Sequence, residues 1–485
     1  MLQDRRSAVL LRTAYTVSVI GIFLYFLMWQ VNFYLAESIK QGIYLFFPPI
    51  LLTGVLYFRK LKDGIEIKLV AAYLLWVVIT RIINGDRVLS KEYLFVLDLS
   101  LMLPFMSLGL VLDRAGRRRV LNWLSVILGV YFFVLGGLCI YTFVTRRGFI
   151  NPITGANISA VDYQSPFPRI AAFDNNPNVV AYWFMIPMTL MCYQFFACRS
   201  RLLKIAICLV GVISFWVISI TYCRSIYLSG ALCFSLLVFL LLRKQLKTGK
   251  KALVAIVLLA CVLTVTPATY LGFSFAGDVT ATAAEKLEAK RGVEVQPEPV
   301  SAREEVSFYP VSLRCSVIDE AASAKPISAH REKTADFDKI SSGRLSIYRA
   351  AIDVLRRNPR ILLVGCPADD VVELINRVLA EKGETDVVQL HNFLLQSLLL
   401  SGIMGMLLVA SVCLLSALRF LQLCFKDNGS VEMSQLVLGL PALGCMVFGL
   451  AESGFFNYTD ARTLFFYLMC GMLLGTYYDL KAFKL

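Results

Sequence analysis

The sequence is short of charge and almost without histidine. Of its 485 residues only 17% are Asp, Glu, Lys or Arg, where a soluble chain carries roughly 25%. Only two are histidine. With 58% hydrophobic residues, the chain has more apolar surface than a globular core can bury, so lipid must be its solvent. No G-x-x-x-x-G-K-[ST] loop is present, so ATP is not the implied energy source. The thirteen cysteines lack the C-x-x-C spacing of zinc or redox sites. Most lie inside apolar runs, as do Cys208, Cys233, Cys261, Cys413 and Cys445, and read as small buried hydrophobes. Cys315 and Cys366 fall in a polar segment, where a disulfide between them stays open. The usual nucleic-acid modules are missing too. The net charge of +14 sits in short clusters between apolar runs, as topology signals do. Membrane lipids are therefore expected partners and nucleic acid is not.

What is there is a succession of apolar runs long enough to cross a bilayer. They fall at 13–35, 41–58, 66–83, 92–112, 120–144, 178–197, 202–221, 225–242, 251–272, 393–418, 433–454 and 461–479. The sequence thus predicts an all-α polytopic membrane protein with about twelve helices. The first run follows MLQDRRSAVLLRTAY, is too long for a signal-peptide core and lacks a cleavage site, so it reads as an uncleaved span. Alternate connections are basic: Arg5/Arg6/Arg12, Arg59/Lys60/Lys62/Lys68, Arg114/Arg117/Arg118/Arg119, Arg199/Arg201/Lys204, Arg243/Lys244/Lys247/Lys250/Lys251, Arg419/Lys426 and Lys481/Lys484. That alternation predicts both termini in the cytoplasm. No internal repeat is visible, which weakens an inverted-repeat transporter.

The expected organisation is a bundle over 1–272 with an external loop at 145–177, a large external segment at 273–392, and closing helices over 393–485. Residues 273–340 are polar and weakly patterned, and are expected to be mobile. Residues 342–383 predict two amphipathic helices. In the first, Leu345, Tyr348, Ile352 and Leu355 share a face, Ser342 caps the start and Asn358-Pro359 ends it. In the second, Pro367 opens the helix, Asp369 and Asp370 sit at its positive end and Gly383 follows its last turn.

The polar residues worth weighing map to one face. His391, in VVQLHNFLLQSLLLSGIMG, directly precedes an apolar helix that runs into a Gly-x-x-Gly turn. Capping that helix is its plainer role, and a general base near neutral pH its sharper one. Arg224, in SITYCRSIYLSG, lies where the connection between two spans almost vanishes. Snorkelling to headgroups is the plain reading. The sharper one is a phosphate clamp, because a half-buried guanidinium needs a counter-anion and binds phosphate in bidentate fashion. Arg344 opens the first loop helix, and Arg169 precedes the span at 178. Three cations and a base at a membrane surface suit an anionic lipid carrier, with pyrophosphate as the leaving group. Glu452 is placed to pair with one of the arginines, and Asp98 with Arg81. The Asp336-Phe337-Asp338 triplet has metal-site spacing but is common by chance, so no metal is expected.

The same residues carry a resemblance. GRLSIYRAAIDVLRRNPRILLVG followed by LHNFLLQSLLLSGIMG, ITYCRSIYLSG and RIAAFDNNPNVVAYW resemble, in their order along the chain, motifs of the O-antigen ligase and O-antigen polymerase superfamily of bacterial membrane proteins. Cys223 stands where that family usually has serine, Tyr348 where it has tryptophan, and Gly365-Cys366-Pro367 where a Gly-x-Gly is expected. The resemblance covers order and topology over most of the chain and implies a GT-C-like fold. It implies transfer of a glycan from undecaprenyl pyrophosphate to a glycan, lipid or protein acceptor, with inversion and without metal or other cofactor. The place would be the outer face of the bacterial cytoplasmic (inner) membrane, facing periplasm or exterior. Arg224 and Arg344, with Arg169, would hold the pyrophosphate, and His391 would take the acceptor proton. Asn392, Tyr348, Asn178 and Glu452 would support them. Polymerase or ligase stays open, and a lipid-linked oligosaccharide flippase or polysaccharide transporter is the alternative.

Overall fold

The computed structural model describes residues 2–30, 51, 64–85, 99–145, 149–150, 157–158, 161–162, 169–170, 177–246, 251–291, 344–383, 390–426, 432–450 and 461–482. The predicted span at 41–58 lies outside the described residues apart from residue 51. Asp98, Cys315, the 336–338 triplet, Ser342 and Glu452 also lie outside them.

Within the described residues the chain is almost wholly helical. The first half contributes α1 (Leu2–Gln30), α2 (Ile65–Ile83), α3 (Met102–Val111), α4 (Arg114–Thr145), α5 (Pro177–Ala197), α6 (Arg201–Ile220), α7 (Arg224–Leu246) and α8 (Lys251–Arg291). Then come α9 (Arg344–Arg357), α10 (Pro359–Val364), α11 (Ala368–Glu381), α12 (Phe393–Lys426), α13 (Met433–Val437), α14 (Gly439–Gly449) and α15 (Ala461–Ala482). Seven of the described helices are long and apolar enough to cross a membrane, and the protein is an all-α membrane protein. Between α4 and α5 the described residues form two short antiparallel strand pairs, β1 (Phe149–Ile150) with β2 (Asn157–Ile158) and β3 (Val161–Asp162) with β4 (Arg169–Ile170).

The core is built around α15, whose side chains from Leu464 to Leu474 are buried almost throughout. α3 packs on it backbone to backbone. A Cβ on Gly471 would overlap the Met106 carbonyl, and one on Gly475 the Gly109 carbonyl. Small residues buy this approach in a bilayer, where packing replaces the hydrophobic drive between helices. Outward-facing Leu, Val, Ile and Phe on α4 and α8, such as Val130, Phe133, Leu263 and Phe275, meet lipid instead. Cys233, Cys261, Cys413 and Cys445 are buried as expected, whereas Cys208 is exposed on α6.

Three local expectations change. α8 does not stop at 272 but runs to Arg291. Residues 273–291, expected to be mobile, are therefore helical; the rest of that expectation, 292–340, lies outside the described residues. The alanine-rich sequence continues the helix, Trp216 Nε1 donates to Thr280 Oγ1 at 2.8 Å, and Gly277 sits against the Ser219 carbonyl. In α9 the buried face is Ile347, Ala350, Ala351 and Val354, with Ile352 exposed. The alanines allow close packing against α11, which rotates the helix away from its larger apolar residues. Finally, α12 is not one span. Gly402 has φ 68° and ψ −175°, so the segment before it is a separate short helix. Gly405 remains helical.

Candidate functional site

His391 is the junction of the loop helices and the bundle. Its φ is 52°, a left-handed conformation that costs a non-glycine residue about 1–3 kcal/mol and persists only when its surroundings hold it. They do. The Tyr348 hydroxyl of α9 donates to the His391 carbonyl at 2.9 Å. Asn392 Oδ1 accepts the Leu395 amide at 3.0 Å, capping α12, as an N-cap asparagine should. Asn392 Nδ2 donates to the Leu450 carbonyl at the end of α14, at 3.1 Å. The histidine side chain is half-buried.

These contacts bring the expected residues towards one end of the bundle. Arg344 lies one helical turn before Tyr348, on the same face of α9. α7 and α14 run antiparallel. Ser229 Oγ donates to the Gly444 carbonyl and Cys233 Sγ to the Leu440 carbonyl at 3.3 Å. One turn further, the start of α7 reaches the end of α14. Arg224, the first residue of α7, thus shares that end with Leu450 and Asn392. Its side chain is exposed, which corrects the expectation of a half-buried guanidinium. In the preceding turn Tyr222 has φ 51°, its hydroxyl donates to Asp278 Oδ1 of α8 at 3.2 Å, and the buried Cys223 thiol lies 3.2 Å from Ser225 Oγ.

Arg169 stands opposite Asp162 in the backbone register of β3 and β4. β4 is anchored by the fully buried Ile170 and packs on α4, α5 and α6. Asn178, in the first turn of α5, is half-buried at the same end. One turn deeper, Tyr182 stacks on Phe448 with ring centroids 4.8 Å apart. The Arg462 guanidinium lies 5.8 Å from the Tyr182 ring centroid. Arg462 is a cation at this end that the sequence reading passed over. Its signal was the one that singled out Arg224: an arginine opening an apolar helix.

The arginines buried among the described residues are others. Arg81 is fully buried, and Arg117 and Arg243 nearly so. Arg117 pairs with Asp479 and donates to the Gly109 carbonyl at 3.0 Å. Arg81, expected beside Asp98, donates to the carbonyls of Cys366 at 3.3 Å and Leu400 at 3.2 Å. A desolvated guanidinium prefers such fixed acceptors. The opposite end of the bundle gathers the basic clusters. There Arg114 pairs with Glu432 at 2.7 Å, and Arg419 Nε meets the fully buried Glu66 at 2.9 Å.

The loop helices are stitched by charge. Lys382 Nζ lies 2.7 Å from Asp353 and Arg357 2.7 Å from Glu381. The Lys382 hydrogen bond holds the Asp353 carboxyl below its ordinary value, and the Arg357 hydrogen bond does the same for Glu381. Among the described residues no three His, Cys, Asp or Glu side chains gather in one place.

A histidine whose backbone is held in place, with arginines opening helices α7 and α9, has the chemistry to bind a diphosphate and move a proton. No curated protein matches the chain. Residues 209–410, which contain Arg224, Arg344, Tyr348, His391 and Asn392, match the O-antigen ligase family model. Over that stretch the chain is similar to the O-antigen ligase family, and its long apolar helices make it a multi-pass membrane protein.

Proposed function

We propose that the protein transfers a glycan from an undecaprenyl-pyrophosphate-linked donor to an acceptor hydroxyl, with His391 as the base. Both termini face the cytoplasm, and the His391 end of about twelve spans faces the periplasm or exterior. The imidazole takes the acceptor proton as the acceptor oxygen bonds to the anomeric carbon. The glycosidic bond to pyrophosphate breaks on the opposite side, so the carbon inverts. Arg224 and Arg344, with Arg169 behind them, neutralise the charge that develops on the departing lipid pyrophosphate. Guanidinium suits this because its fork matches two phosphate oxygens at once. The observation that carries the reading is the left-handed His391, tied by Tyr348 to the helix bearing Arg344 and by Asn392 to the helix end beside Arg224.

A test separates imidazole chemistry from backbone geometry. His391→Asn keeps a residue that tolerates positive φ but removes the base. Lipid-linked and surface glycans from the native host carrying this variant are extracted and sized. Single repeat units accumulating on lipid identify a polymerase, and long chains stranded on the carrier a ligase. Wild-type surface glycan with normal membrane levels of the variant would sink the base assignment. One feature favours a second reading, a flippase or polysaccharide transporter: the helix break at Gly402, since transporters use interrupted helices. Precursor building up on the cytoplasmic side would select it.

A further inference from the structure

At the break in α12 three backbone carbonyls accept from outside the helix. The Leu399 carbonyl accepts the Cys366 amide at 2.8 Å. The Leu400 carbonyl accepts Arg81 at 3.2 Å, and the Ser401 carbonyl accepts Trp76 Nε1 at 2.7 Å. On the facing segment, the Gly365 carbonyl accepts Asn84 Nδ2 at 3.3 Å and the Cys366 carbonyl accepts Arg81 at 3.3 Å. Gly365 has φ 69°. A Cβ on it would overlap Leu400, and a Cβ on Gly402 would overlap Leu363. Two interrupted helices thus meet backbone to backbone, and one fully buried guanidinium bridges a carbonyl on each.

Both arms leaving this junction end at His391. One is the short helix 393–401, whose N-cap is Asn392. The other runs back from Gly365 through α10 and α9 to Tyr348, whose hydroxyl holds the His391 carbonyl. The contacts close a ring: Arg81, Leu400, the short helix, His391, Tyr348, α9 and α10, Cys366, Arg81. We propose that Arg81 is a positioning residue of the transfer reaction. It touches no reacting group. By locking the two arms together at the far side of the ring, it sets the left-handed backbone and the aim of His391. The transfer role of His391 is the reading that this rests on.

Arg81→Met keeps the length and removes every donor, while Arg81→Lys keeps charge and donors. Each is made in the full chain, purified into nanodiscs and supplied with lipid-linked glycan extracted from the native host. Arg81→Met is expected to lower kcat by about 100-fold, the scale of a 1 Å misplacement, with KM for the donor nearly unchanged. Arg81→Lys is expected to recover much of it. The second readout needs no activity. The chain has two histidines, so His330→Gln leaves His391 as the sole ring-labelled imidazole in a nuclear magnetic resonance spectrum. In Arg81→Met that signal should move or split, and in Arg81→Lys it should stay near the parent position. An unchanged His391 signal in Arg81→Met overturns the positioning role, whatever happens to turnover. A displaced signal with full turnover leaves Arg81 holding His391 and removes His391 from the chemistry instead. Should Arg81→Met not accumulate in membranes, Arg81→Gln, which keeps one donor group, is judged by the same two readings.

Discussion

At its first turn α2 offers a carboxylate and at its last turn a guanidinium, and the two do different work. Glu66 receives Arg419 of α12 at 2.9 Å and the Tyr478 hydroxyl of α15 at 2.9 Å. The Arg419 guanidinium also stacks over the Tyr477 ring, 4.7 Å from its centroid. All of these partners are side chains on unbroken stretches of helix. Arg81, at the other end, holds main-chain carbonyls where two helices are interrupted. A side-chain cluster between continuous helices fixes how they pack. A side chain bound to interrupted backbone fixes where the chain goes next, and here both chain directions lead to His391.

The comparison can be broken in several places. Gly402→Val should have the largest effect, because a Cβ there overlaps Leu363 and φ is 68°. The cost is about 3 kcal/mol or more, read as loss of folded protein from membranes. Glu66→Ala strands Arg419 in a mostly buried setting and should cost about 3 kcal/mol. Thermal unfolding should fall while kcat and KM per folded molecule hold. A change in kcat comparable to that of Arg81→Met would erase the distinction between the two ends. Trp76→Phe removes the donor to Ser401 and should cost about 1–2 kcal/mol, again measured by thermal unfolding. Tyr348→Phe frees the His391 carbonyl. It should cost about 1 kcal/mol and appear chiefly as lower kcat.

The smallest effect is pH-dependent. Asp353 and Glu381 titrate below their ordinary values because Lys382 and Arg357 bind their charged forms. Their contribution is therefore fully present above the ordinary carboxylate range, roughly pH 4. It is lost as pH falls through the lower folded-state values. Hydrogen exchange of α9 and α11 should rise over that acid window, and the double variant Asp353→Asn with Glu381→Gln should flatten the rise.

Much of this was legible in the chain. The apolar runs located the described long helices, because lipid demands long uninterrupted apolar segments. Asn358-Pro359 and Gly383 ended the loop helices where the structure ends them. His391, Arg224 and Arg344 stood out because polar residues at membrane boundaries are costly and few. The extension of α8 was hidden because a polar alanine-rich run reads equally as loop or helix. Arg462 carried the same local signal as Arg224, an arginine opening an apolar helix, but its contact with Tyr182 came only from the fold. Arg81 was noticed but given an acidic partner, since carbonyls freed by a distant break leave no sequence mark.

The amino-acid sequence alone was enough to show that this chain lives in lipid, where most of its long apolar helices lie, and which cations and which histidine to weigh as a site. Composition and periodicity are enough for that, because each helix satisfies its own backbone. Only the tertiary structure decided that α12 breaks at Gly402, that Gly365 meets it, and that Arg81 closes the junction. The Arg81 contacts join residues about three hundred positions apart, and the energy of the junction comes from backbone groups that every residue carries alike.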